Sequence, residues 1–329
     1  MGGETKDDIV KKIIRSGETV VAEQEFTISR RKVFYKYTLA LTIVALAVLL
    51  TYLFLSTEQL MALQTLLHKD HYLFYWMLLA GFCAEMVAGS MGMGYGVICT
   101  TILLILNVPP PIISASIHSA ESFTTAAGSI SHWQLGNVNK KLVKALAVPA
   151  IIGAVLGAIA LTYAGEYYAK LTKPVIAVYA MYLGFRILQN AYKTKNGNGN
   201  LNGNGNSVKK ETNIPILGFI GGFIDSFGGG GWGPLVTGTF IKNGRTPRYV
   251  IGSSTMAKFI LTVASAVTFI FTVGIQHWNI VAGLLIGGII TAPFSAMLTS
   301  RLPVKKMFVA VGVVVIIMSL ITIYRTIFL

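Results

Sequence analysis

The chain is dominated by apolar segments long enough to cross a lipid bilayer. Of its 329 residues, 53% are hydrophobic and only 12% carry a charge, whereas a soluble domain has roughly twice that charged fraction. A membrane-spanning helix needs about 20 largely apolar residues, and YKYTLALTIVALAVLLTYLFL at about residues 35–55 meets this need. The sequence therefore predicts an all-α, multi-pass integral membrane protein, which we expect in the plasma (inner) membrane.

The net charge of +14 permits two interpretations. It is compatible with nucleic-acid binding, but the lysines and arginines cluster in the short connections, as cytoplasmic loops of membrane proteins require. We expect no nucleic-acid partner. The two cysteines, Cys83 and Cys99, both lie in apolar segments, and their spacing indicates neither a disulfide framework nor a metal site. No cofactor is expected.

A repeat with a spacing of 137 residues organises the chain. The stretch AGFCAEMVAGSMGMGYG at 80–96 returns as GFIGGFIDSFGGGGWG at 218–233. Several residues then coincide: Gly81 with Gly218, Phe82 with Phe219, Gly92 with Gly229, Gly94 with Gly231, Tyr95 with Trp232 and Gly96 with Gly233. Chance matching of apolar residues does not explain three glycines and an aromatic residue in one spacing.

The repeat predicts the domain organisation. We expect a cytoplasmic N-terminal segment (1–32), an extra transmembrane helix (33–56), repeat 1 (72–192), an Asn/Gly-rich cytoplasmic linker (193–212) and repeat 2 (213–327). Each repeat is predicted to contain a glycine-rich re-entrant hairpin and three transmembrane helices. Those helices are expected near 112–133, 142–163 and 174–191, and again near 249–272, 279–299 and 304–325.

The basic connections predict that the two repeats are inverted. The N-terminal segment and the linker region are both basic and therefore cytoplasmic. Repeat 1 must then cross the membrane an odd number of times after the extra helix, so its copy runs in the opposite orientation. On this count the N-terminus is cytoplasmic and the C-terminus external.

The glycine-rich hairpins suggest an anion site. Glycine permits positive φ angles and close approach of the backbone to a ligand, and the free N–H groups at a helix N-terminus attract anions. Inverted repeats place such ends near the membrane midplane. The candidate substrate-binding residues in the hairpins are Gly92, Gly94, Tyr95, Gly96, Gly229, Gly231, Trp232 and Gly233. The alternative is that the glycines only allow helices to pack closely.

Three motif groups resemble the sulfite exporter TauE/SafE family of permeases. They are the duplicated hairpins, the stretch PPPIISASIHSAESFTTAAGSISHWQLGNVN and the stretch YVIGSSTMAKFILTVASAVTFI. The resemblance covers about residues 73–325. It implies transport of sulfite, thiosulfate or organosulfonates, with small carboxylates as further substrates. The residues by themselves indicate only a small anion.

Ionisable residues inside apolar spans are functional candidates because they are costly to place there. Glu121 and Lys258 occupy equal repeat positions, so inverted helices would bring them face to face. Lys258 is a candidate for anion binding, together with the hydroxyls of Ser253, Ser254 and Thr255. The proton-coupling candidates are His118, Glu121, Glu85 and Asp225. The alternatives are a structural ion pair, a packed histidine and helix–helix hydrogen bonds.

Three functional classes follow. The first is a secondary transporter of small anions that binds its substrate at the midplane between the hairpins, with or without proton coupling. The second is an anion channel, and the third an intramembrane hydrolase, suggested only by the serine in GSMG at 89–92. The transporter is preferred, so no enzymatic activity is expected. The sequence leaves open whether the protein, surrounded by membrane lipid, forms a homo-oligomer.

Overall fold

The structure is a computed structural model that describes residues 71–91, 93–193, 212–274, 278–298 and 304–328. These residues belong to one compact unit, Leu66–Leu329. The predicted N-terminal segment, extra transmembrane helix and most of the linker lie outside the described residues, as does Gly92. The described part is helical and contains no strand, which confirms the all-α prediction.

The two halves contain helices in the same order. The first half has five: α1 His71–Met91, α2 Tyr95–Ile105, α3 Pro110–Gln134, α4 Lys140–Tyr167 and α5 Ala169–Lys193. The second half has α6 Ile214–Gly228, a π-helix Gly233–Thr237 that continues into α7 Gly238–Lys242, then α8 Pro247–Thr272, α9 Trp278–Leu298 and α10 Val304–Phe328. The ends of these helices fall within a few residues of the predicted spans.

Local sequence signals explain where the helices begin. Pro110 and Pro247, again 137 residues apart, each open a helix, where the missing N–H of proline costs nothing. The Asn139 side chain caps α4 by accepting from the backbone N–H of Lys141 at 3.0 Å. Asn213 caps α6 in the same way, accepting from the N–H of Ile216 at 3.3 Å. These caps satisfy N–H groups that the helices themselves leave unpaired.

Four of the described helices are long and apolar enough to cross a membrane: Lys140–Tyr167, Ala169–Gln189, Arg248–Thr272 and Val309–Phe328. Four apolar helices are shorter: Leu73–Ala88, Tyr95–Ile105, Ile214–Gly228 and Trp278–Thr291. Helix α3 belongs to neither group, although a span was predicted there, because its serines, threonines, His118 and Glu121 lower its hydropathy. Its polar residues include two of the candidate site residues, His118 and Glu121.

The halves interlock through helix pairs that take one member from each repeat. Helix α1 packs on α9, and the equivalent helix α6 packs on α4; α3 packs on α8, and α5 on α10. Glycines permit this close packing. A Cβ at Gly222 would lie 3.0 Å from the Cα of Ala150, and one at Gly81 would lie 2.8 Å from the Cα of Leu284. The candidate residues are therefore positioned by contacts between the repeats.

Candidate functional site

The two glycine-rich loops touch each other at the centre of the described unit. Gly94 has a φ of 109° and precedes α2, while Gly229 has a φ of 70° and ends α6. Thr100 Oγ1 donates to the carbonyl of Gly229 at 2.8 Å. A Cβ on Gly96 would lie 2.7 Å from the Cα of Gly230. The glycines thus allow the backbones of the two loops to approach each other closely in this conformation.

The two aromatic residues at equal repeat positions are buried anchors. The Tyr95 hydroxyl donates to the carbonyl of Leu284 at 3.2 Å. The Trp232 indole N–H donates to Ser254 Oγ at 2.8 Å, and Thr237 Oγ1 lies 2.6 Å from the same hydroxyl. Both aromatic side chains are less than 4% exposed. They fix the helical segments that follow the loops and face no open space here.

Glu121 and Lys258 form a direct ion pair. Lys258 Nζ lies 2.5 Å from Glu121 Oε1, and the side chains are 16% and 2% exposed. Thr125 and Thr262, another pair at equal repeat positions, have their hydroxyl oxygens 3.4 Å apart. Glu121 Oε2 has no hydrogen-bond partner among the residues that the structure describes. The equal repeat positions therefore meet between α3 and α8, and Lys258 is engaged by a carboxylate.

His118 and Asp225 form a second buried pair, which joins α3 to α6. His118 Nε2 lies 3.4 Å from Asp225 Oδ2, and both side chains are fully buried. Asp225 Oδ1 accepts the backbone N–H of Trp232 at 2.7 Å. Asp225 therefore holds the tip of the second loop and contacts a helix of the other repeat.

Glu85 lies beside these pairs. It is half-buried, and a Cβ on Gly288 of α9 would lie 3.9 Å from its Cβ and 3.8 Å from the Tyr95 hydroxyl. The carboxyl interacts electrostatically with Glu121 and Lys258, and Asp225 also interacts with Lys258. The four ionisable candidates and Lys258 thus form one electrostatic cluster.

The hydroxyl groups of Ser253, Ser254 and Thr255, which the sequence suggested as anion ligands, are engaged in hydrogen bonds with the protein itself. Ser253 Oγ accepts the backbone N–H of Asn139 at 2.8 Å, and Thr255 Oγ1 donates to the carbonyl of Ile251 at 2.9 Å. The Ser254 hydroxyl accepts the indole N–H of Trp232. These contacts are the helix–helix and intrahelical hydrogen bonds of the alternative interpretation.

Two residues at the loop tips were not singled out from the sequence. Tyr179 of α5 donates its hydroxyl to the carbonyl of Gly230 at 2.9 Å, and nothing in its own segment indicates this. Thr100 was recognisable in principle, because Thr237 occupies the equal repeat position. Both residues satisfy carbonyls that the glycine loops leave without helical partners.

A cavity of about 300 Å³ lies between α3 and α8. Its lining is mostly apolar, and the hydroxyl groups in it come from three serines of α3, Ser116, Ser119 and Ser122. The glycine loops and the ion pairs do not line it. The candidate site is therefore a closely packed polar cluster in this conformation, and the open volume is elsewhere.

The apolar helices of the two repeats pack against each other around a buried cluster of ionisable residues, and this architecture is that of a multi-pass membrane protein. The chain belongs to the sulfite exporter TauE/SafE family, which matches residues 77–322. It is 35% identical over 243 residues to the "Probable membrane transporter protein YtnM" of Bacillus subtilis (strain 168), an alignment that covers 73% of this chain and 79% of that protein. No solved structure matches the chain. The protein is thus a membrane transporter of this family.

Proposed function

We propose that the protein is a secondary transporter of small anions, with sulfite and organosulfonates as its substrates. The observation that carries the proposal is Lys258, an ammonium group near the middle of α8 whose side chain is only 16% exposed. A buried cation that interacts with Asp225, the residue bonded to the tip of the second glycine loop, is the kind of group that compensates an anion for its lost hydration. The family description supplies the sulfur chemistry.

The proposed binding position lies between the two loops, close to Lys258. In the present conformation the two loops are in contact, and the ammonium group of Lys258 is paired with the carboxylate of Glu121. Substrate binding then requires the loops to separate and the ion pair to open, so that the anion replaces the Glu121 carboxylate. A closed path of this kind favours a carrier over a channel, because a channel needs a continuous polar route. The proposal includes coupling to protons through His118, Glu121, Glu85 or Asp225.

A binding screen tests the substrate class. Purified protein is titrated calorimetrically with sulfite, thiosulfate, methanesulfonate and acetate at fixed pH and ionic strength. We expect the sulfur oxyanions to bind more tightly than acetate, because their three oxygens can engage both loops and the ammonium group. Counterflow in proteoliposomes with the tightest ligand then separates a carrier from a channel. Preference for acetate, or no binding of any of the four, would remove the sulfur-anion proposal.

The inverted arrangement is supported by contacts between equal repeat positions, such as Glu121 with Lys258 and Thr125 with Thr262. Contacts of this kind arise when two halves are related by a two-fold axis, and inverted transporter repeats have such an axis in the membrane plane. We therefore expect the linker to be cytoplasmic and the C-terminus external.

Cysteine labelling in intact cells measures this topology. Cys83 and Cys99 are first replaced by serine, since Cys83 is exposed, and single cysteines are then introduced at Asn200 and Leu329. An impermeant maleimide added outside the cells is expected to label position 329 and to reach position 200 only after permeabilisation. Labelling of both positions from the same side would contradict the inverted repeats.

A further inference from the structure

The protonation state of the His118–Asp225 pair follows from its hydrogen bonds. His118 Nδ1 lies 2.8 Å from the backbone carbonyl of Ser114, which can only accept. The Ser114 hydroxyl, 3.2 Å from the same nitrogen, already donates its proton to the carbonyl of Ser226 at 2.6 Å. Both neighbours therefore require a proton on Nδ1. In a neutral imidazole this leaves Nε2 with a lone pair.

The lone pair on Nε2 faces a second acceptor. Asp225 Oδ2 lies 3.4 Å away, in a site where both side chains are fully buried. Neither His118 Nε2 nor Asp225 Oδ2 has a hydrogen-bond partner elsewhere in the described structure. Two facing lone pairs, one of them on a carboxylate without a directly bonded cation, are strongly unfavourable in such a buried site. One proton between the two atoms removes both problems, whether the pair is imidazolium–carboxylate or imidazole–carboxylic acid.

We propose that the His118–Asp225 pair is the proton-binding site of the transporter, and that its single proton holds the tip of the second glycine loop in place. The second part rests on Asp225 Oδ1, which accepts the Trp232 N–H at 2.7 Å. The inference builds on the proposed anion transport. When the proton leaves for water, the pair changes from neutral to a net charge of −1, and repulsion between Nε2 and Oδ2 turns the carboxylate away from its present position. The Trp232 N–H then loses its acceptor.

The neighbouring groups link this proton to the anion. Lys258 on α8 and Tyr179 on α5 interact electrostatically with Asp225. The charge of Lys258 is balanced by Glu121, which lies one turn after His118 on α3. The Tyr179 hydroxyl donates to the carbonyl of Gly230. A negative charge on the deprotonated pair opposes an anion at Lys258. Proton and anion therefore bind cooperatively, and by linkage each raises the affinity of the other by the same factor.

The Asp225→Asn variant tests this inference, with methanesulfonate as the probe because it stays fully charged across the pH range used. An asparagine at 225 can still accept the Trp232 N–H through its oxygen and can donate its N–H to His118 Nε2, without a titrating proton. In the wild-type protein, the dissociation constant is expected to rise about tenfold per pH unit once the pair has lost its proton. In Asp225→Asn it is expected to stay constant.

Controls make each outcome informative. Glu166→Gln, which neutralises an exposed carboxyl at the end of α4, should retain the wild-type pH dependence. His118→Gln is the second variant if Asp225→Asn does not fold, and it should also abolish the dependence. A wild-type affinity that is independent of pH, or unaltered dependence in a folded variant at either position, would overturn the inference.

If methanesulfonate does not bind at all, the anion proposal fails, and the pair is then judged by thermal unfolding. The unfolding temperature should fall at alkaline pH in the wild type and not in Asp225→Asn.

Discussion

Replacing Lys258 by methionine is expected to weaken anion binding by at least about tenfold, or roughly 1.4 kcal/mol. At the proposed position near the midplane an oxyanion would lose its hydration, and the amide dipoles of the loops would compensate only part of that cost. Methionine keeps most of the apolar stem of lysine but removes the ammonium group. The measurement is the dissociation constant of thiosulfate, determined by calorimetry on purified protein.

A double variant, Lys258→Met combined with Glu121→Gln, separates an effect on anion binding from an effect on folding. Removing Lys258 alone leaves Glu121 buried without its partner at 2.5 Å, and breaking a buried pair in this way is destabilising. Thermal unfolding is therefore recorded for every variant. If the pair is purely structural, Lys258→Met combined with Glu121→Gln should recover both folding and transport. If Lys258 binds the anion, the double variant should recover stability while thiosulfate binding stays weak. Full transport by the double variant would exclude Lys258 from the site.

Replacing Gly96 by alanine is expected to abolish transport. Gly96 lies in the first turn of α2, where alanine is otherwise a better helix former than glycine, so local helix propensity does not predict any loss. The effect comes from the other repeat, because a Cβ at this position would lie 2.5 Å from the carbonyl oxygen of Gly229 and 2.7 Å from the Cα of Gly230. These are backbone atoms that cannot move aside without separating the loops. The measurement is uptake of labelled substrate into proteoliposomes.

Gly288→Ala is the matched control, since Gly288 is also a buried helical glycine. Its added Cβ would have Thr124 Cγ2 at 3.5 Å as the nearest atom, an ordinary van der Waals contact. We expect near wild-type uptake from this variant. Normal uptake by Gly96→Ala in correctly inserted protein would mean that the contact between the loops is dispensable for transport.

Much of the fold could be predicted from the sequence because its signals are local. Apolar length indicated the spans, and prolines such as Pro110 and Pro247 sit where helices begin. The repeat spacing also carried information about contacts: Glu121 and Lys258 were expected to face one another because they hold equal positions, and the structure places them 2.5 Å apart. A residue on a two-fold axis meets its own counterpart, so this type of pair can be found from the numbering alone.

The partners of the other candidates were decided by the tertiary structure. His118 and Asp225 do not hold equal repeat positions and lie on different helices, so neither periodicity nor the repeat pairs them. The same holds for Tyr179, whose hydroxyl reaches the carbonyl of Gly230 across 51 positions in sequence. Such contacts depend on how α3, α5 and α6 are packed, which is set by steric fit among small residues over the whole interface. The sequence alone thus determined the spans, the duplication and the pairing of Glu121 with Lys258. The proton-sharing geometry at Asp225 and the closure of the loops on one another were decided only by folding, because both arise where non-equivalent positions of the two repeats are brought into contact.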